Sequence, residues 1–149
     1  MPARIYRGPA DRQPKTVSDK TVAGAYLPGT FVTEGASTLT QATAFGPNVR
    51  LLGNRDFYSE GAFTATDPLL TAYASGDTGV AYKLEPGQDY QAAVAAATYT
   101  FGQELTVAAS GRLAAASSGN VVVGYARSAG AKSAGDLIDF EVANHYAKA

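Results

Sequence analysis

The stretch from Gly102 to Val142 constrains this chain more than any other. It reads GQELTVAASGRLAAASSGNVVVGYARSAGAKSAGDLIDFEV. Apolar and polar residues alternate over short runs, and turn signals cut the runs at Ser110-Gly111, at Ser117–Asn120 and across 128–135. In the last run Ile138, Phe140 and Val142 fall on one side of an extended chain, and Leu137, Asp139 and Glu141 on the other. Successive side chains of a strand point to opposite faces, so this pattern describes an antiparallel sheet with one buried and one wet face. Runs of this kind, repeating about every 8–12 residues, predict an all-β fold, a compact antiparallel sandwich or small barrel.

The rest of the chain supports that class. Val22–Tyr26 and Phe31–Thr33 predict strands around Leu27-Pro28-Gly29-Thr30, whose Pro at the second and Gly at the third position predict a type II turn. Thr38–Gln41 and Val49–Leu52 predict further strands. Gly53-Asn54 predicts a tight hairpin into Asp56–Tyr58. Val80–Leu84 alternates, and Pro86-Gly87 closes it. Tyr90, Ala93, Val94 and Ala97 fit helical spacing, yet the same small residues fit a buried strand. The strands on either side favour strand.

Residues 1–21 differ in kind. They hold Pro2, Pro9 and Pro14, and five basic residues against Asp11 and Asp19. Proline removes backbone donors, so regular pairing is not expected, and the segment reads as an extended basic N-terminal arm. Residues 22–149 then form a single β-domain, acidic on balance, within a chain of 149 residues. A basic arm on an acidic body suits docking on an acidic partner, and equally suits a solvated tail. Ile5 and Tyr6 are candidate anchors on a neighbour. Tyrosine supplies rigid amphipathic contact area, so Tyr6 and Tyr146, near the two termini, are candidate partner contacts.

Chemistry is sparse. The chain has no cysteine, which removes disulfides and thiolate chemistry, and one histidine, His145, on a terminus expected to fray. Asp77, Asp136, Asp139 and Glu141 could hold a hard cation only weakly, and no calcium-loop spacing occurs. Glu34, Glu60, Glu85 and Glu104 sit beside turns, where a pair could hydrolyse a glycosidic bond, but the chain lacks tryptophan for sugar stacking. Phosphate-binding glycine motifs are absent, as is any apolar run long enough to span a bilayer. Neither a cofactor nor a metal is expected, nor nucleic-acid or membrane binding, and the chain does not read as an enzyme.

Gly102-Gln103-Glu104-Leu105-Thr106-Val107, Ser110-Gly111-Arg112-Leu113, Val123-Gly124-Tyr125-Ala126 and Gly135-Asp136-Leu137-Ile138 occur in that order. Together with Pro28-Gly29-Thr30-Phe31-Val32 they resemble the capsid decoration, or cement, proteins of tailed bacteriophages, over about residues 22–143. Residues 40–80 match nothing in that family. The resemblance implies a virion structural protein, made in the host cytoplasm and placed on the outer capsid surface. There it would bind and stabilise the assembled major capsid protein as a homodimer or homotrimer. Arg4, Ile5, Tyr6, Arg7, Arg12, Lys15 and Tyr146 are the candidate contacts with that partner. A surface or virion β-module that binds a glycan or host receptor is the alternative.

Overall fold

The computed structural model describes residues 4–9, 11–54 and 68–149. Among these residues thirteen strands follow in chain order. They are β1 (Thr16–Val17), β2 (Thr21–Val22), β3 (Phe31–Glu34), β4 (Thr38–Gln41), β5 (Val49–Leu52), β6 (Ala81–Tyr82) and β7 (Asp89–Ala93). After them come β8 (Ala97–Tyr99), β9 (Glu104–Ala108), β10 (Arg112–Ala115), β11 (Val121–Ala126), β12 (Gly130–Lys132) and β13 (Leu137–Ala147). Short 3-10 turns stand at Pro68–Leu70 and Ala109–Gly111. The all-β expectation holds, and the ambiguous stretch from Tyr90 is strand as far as Ala93.

One sheet has the order β10-β9-β11-β13-β7. Its outer strands meet, because Val94 just past β7 bridges Leu113 of β10 and the Ala95 N–H donates to the Leu113 carbonyl at 2.8 Å. This sheet therefore curls into a half-barrel, the small barrel of this fold, whose edges touch at this point. The second sheet, β1-β6-β5-β3-β4-β2, is antiparallel except for the β2–β4 pair. Alternation along its strands buries both faces. Phe31 and Leu51 point into the core shared with the barrel, where Phe31 meets Phe140 at 6.0 Å between ring centres. Val32 and Leu52 point the other way, to a smaller cluster with Val22, Leu39, Tyr73 and Ala81. A two-stranded ribbon, β12-β8, completes the fold.

The turns repeat one design. At Leu27–Thr30, Ala74–Asp77, Glu85–Gln88, Thr100–Gln103, Ser117–Asn120 and Ser133–Asp136, glycine stands third with φ between 82° and 94°. In each, the fourth N–H donates to the first carbonyl. That is the type II turn, whose third residue needs a positive φ that glycine adopts without strain. In four of them a fourth-position Asp77, Gln103, Asn120 or Asp136 also accepts the first residue's N–H, at 2.8–3.0 Å. Gly124 serves a different need. A Cβ there would stand 2.4 Å from the Glu141 carbonyl oxygen, so β11 and β13 approach this closely only with glycine at that position.

Several expectations need correction. The segment before residue 22 is not free of pairing. Thr16 and Val17 pair with Tyr82 and Ala81, and Tyr6 bridges Tyr90 on the outer edge of β7. Proline removes only its own donor, and Pro9 and Pro14 flank these paired positions rather than occupying them. The last strand does not fray after Val142. It runs to Ala147, where Val122 pairs with Tyr146 beyond a register shift between Val122 and Gly124. Ala97, expected to end a strand, instead opens Ala97–Tyr99, which pairs as the ribbon with Gly130–Lys132, expected as a loop. The expected strand Asp56–Tyr58 lies outside the described residues.

Candidate interaction surface

The expected contact residues separate into two groups. Ile5 is fully buried and Tyr6 is 3% exposed, both within the chain's own core. Their place follows from backbone pairing. The Gln91 N–H donates to the Ile5 carbonyl at 2.7 Å, and the Arg7 N–H to the Asp89 carbonyl at 2.8 Å. The Tyr6 ring packs edge-on against Tyr90, with 5.5 Å between ring centres, and its hydroxyl donates to the Arg12 carbonyl at 2.6 Å. Burial raises the Tyr6 pKa, and the Glu85 carboxylate nearby adds to the rise. Ile5 and Tyr6 thus anchor the arm on its own body, which corrects their assignment to a partner contact. An extended segment with two large apolar side chains gains most by closing the nearest open sheet edge, and here that edge is β7.

Arg7 is also turned inward, with its Nε 3.3 Å from Asp139 Oδ1. The pair is close enough for charge attraction but is not aligned as a hydrogen bond. Arg4, Arg12 and Lys15 remain exposed, with no carboxylate partner within ion-pair distance among the described residues. Arg12 and Lys15 sit at one corner. Tyr6 reaches Arg12 there, and the Lys15 N–H donates to Glu85 Oε1 at 3.3 Å.

The outer face of the barrel sheet holds a row that sequence reasoning did not assemble. Strand register places Glu104, Tyr125, Glu141 and Asp89 side by side across β9, β11, β13 and β7. The Tyr146 hydroxyl donates to Glu104 Oε1 at 2.6 Å, and Lys148 Nζ stands 2.7 Å from Glu104 Oε2. The hydrogen bonds from Lys148 and Tyr146 lower the Glu104 pKa, and the bond to Glu104 raises that of Tyr146. Arg127 pairs with Glu141 and lies 5.2 Å from the centre of the exposed Phe101 ring. Burial raises the Asp89 pKa, and Glu141 adds to it. Tyr146 keeps 37% of its surface exposed. Its hydroxyl is held internally and its ring stays open, so it joins this face rather than a free terminus. The signal for the row was the alternation in β13, but the register that aligns it with β9 and β7 spans segments far apart in sequence.

The remaining chemical candidates stay apart. Among the described residues no group of three or more His, Asp or Glu could hold a metal ion. Asp77 and Asp136 each cap their own turn. Glu34 pairs with Arg50 at 3.0 Å, and Glu104 with Lys148. His145 lies against Phe45, with 4.4 Å between ring centres, and burial lowers its pKa. Glu60 lies outside the described residues.

The fold defined by these elements is a half-barrel of five antiparallel strands, its edges touching through one parallel bridge, packed against a second sheet. A protein of a bacteriophage head shares it. The chain is similar in structure to the N base of head fiber gp8.5 in bacteriophage phi29, with a TM-score of 0.52. The likeness covers 88% of this chain and 95% of the other, at 11% sequence identity. At that identity the likeness is one of fold. No family model matches the sequence, and no curated protein matches it.

Proposed function

We propose that the chain is a virion structural protein of a tailed phage that binds the outer surface of the assembled major capsid shell and stabilises it. The observation that carries this reading is the shared fold with a phage head fiber base over nearly the whole of both chains. The order of turn-and-strand motifs supports it independently. The protein acts without turnover, as a homodimer or homotrimer on the shell.

The mechanism is mass action. A protein that binds the expanded shell and not its precursor stabilises the expanded state by RT ln(1 + [L]/Kd) at each site. Arg4, Arg12 and Lys15 supply the electrostatic part, toward acidic residues of the shell, because they are exposed and form no ion pair among the described residues. Exposed charges of this kind act more on encounter rate and orientation than on affinity, and salt screens them. The Tyr146–Tyr125–Phe101 face supplies rigid aromatic area.

Cosedimentation with expanded capsids of the cognate phage tests this reading. The wild-type chain is expected to pellet with capsids, and Arg4→Glu/Arg12→Glu/Lys15→Glu to pellet poorly while keeping its fold. Wild-type protein left in the supernatant would overturn it. Removing residues 2–20 is the poorer test, since it also strips Ile5 and Tyr6 from the core.

A further inference from the structure

A groove of about 350 Å³ runs between the turn at Leu27–Thr30, the 3-10 turn at Pro68–Leu70 and the start of β13. Leu27 and Leu70 border it at 43% and 69% exposure, and Tyr26 and Leu137 contribute to its wall. A Cβ on Gly29 would stand 2.6 Å from Leu137 Cδ2, so the glycine lets the leucine lie flat beside it. Single exposed leucines are common on protein surfaces, but two bordering one concavity form a patch.

The groove also has a charge. Arg112, at the start of β10, lines it near Gly135, where an added Cβ would lie 3.8 Å from its Nη2. No carboxylate or carbonyl holds this guanidinium among the described residues. Asp136 lines the same groove, but its Oδ2 accepts the Ser133 N–H at 2.8 Å and caps its own turn. A half-exposed guanidinium beside an apolar groove complements an anion carried next to an apolar side chain. Arg suits a carboxylate through its planar fork of donors.

We infer that this groove docks an extended segment of a partner protein. The segment places a leucine-sized side chain between Leu27 and Leu70 and a carboxylate on Arg112. The charge selects the occupant, because a purely apolar ligand would leave the guanidinium without a partner. The inference stands apart from the capsid reading, since neither the arm cations nor the barrel face takes part.

The test uses the full-length chain and methyl and side-chain NMR, with the blocked dipeptide N-acetyl-Leu-Glu-amide as probe. Saturable shifts are expected at the Leu27 and Leu70 methyls and at the Arg112 Nε–H. N-acetyl-Leu-Gln-amide is expected to bind about tenfold more weakly, as the loss of one charge-assisted contact implies. Arg112→Gln should reduce the first probe to the level of the second, with the remaining amide spectrum unchanged. Equal binding of the two dipeptides, or no saturable shift at these residues, would overturn the inference. So would Leu27 and Leu70 signals that move with protein concentration alone, since a second copy would then be the occupant. The two-dipeptide comparison on wild-type protein decides the matter even if Arg112→Gln misfolds.

Discussion

Ile5→Ala is the sharpest probe of whether the N-terminal segment belongs to the body. Ile5 has no exposed surface and packs in the main core. In a rigid core such a truncation costs about 2–5 kcal/mol. The arm has another option, which is to leave. Holding each residue in place costs about 1–2 kcal/mol of backbone entropy, so the docked segment keeps only a small surplus. The loss is therefore capped at the docking free energy, and about 2 kcal/mol is expected. For a domain of this size that corresponds to a fall in Tm of about 4–8 °C. Native-state hydrogen exchange gives the local readout. The Gln91 N–H bonds to the Ile5 carbonyl and the Arg7 N–H to the Asp89 carbonyl, so both amides should exchange at one opening free energy. Ile5→Ala should speed both together. A stability change below about 0.5 kcal/mol, the level of an ordinary surface substitution, with unchanged protection at Gln91, would refute the reasoning.

Gly124→Ala forces a methyl against the Glu141 carbonyl, and should destabilise by at least the roughly 1–3 kcal/mol of an overpacked core, read by denaturant midpoint. Tyr146→Phe removes a hydroxyl that lowers the Glu104 pKa, so carboxyl NMR titration should find Glu104 moved up toward its ordinary value. Acid should weaken the fold in two steps. Burial holds the His145 pKa below its ordinary value of 6.5, so it contributes stability above that value, lost as pH falls through the folded pKa. Glu104 does the same from 4.5 downward. His145→Gln should flatten the upper step in a series of chemical denaturations across pH.

Much of the fold was legible in the sequence because the relevant signals are local. Pro28-Gly29 specified its turn, and the alternation from Leu137 to Val142 specified which face of β13 is buried, since both depend on residues a few positions apart. The arm was misjudged because proline content reports what a segment cannot donate, not which edge is open to receive it. Ile5 meets β7 across more than eighty positions. The ribbon was missed because Gly130–Lys132 carries Gly, Ala and Lys, which strands disfavour, and only its pairing with Ala97–Tyr99 defines it. The row Glu104–Tyr125–Glu141–Asp89 likewise exists only in register. Arg112 reads as an ordinary surface arginine until the Leu27 turn is placed beside it.

The docking of the first residues on β7 has a consequence for the order of assembly. β7 pairs along its inner edge with β13, which is made well after it. Ile5 and Tyr6 therefore wait for a strand made far later in the chain before their site is complete. Contacts this distant in sequence slow folding, because loop closure must precede the reward of pairing. Until β13 is in place, Ile5 and Tyr6 are exposed and the edge of β7 is open. Docking of this segment thus depends on β13, and a copy truncated before Leu137 should also fail to hold Ile5 and Tyr6.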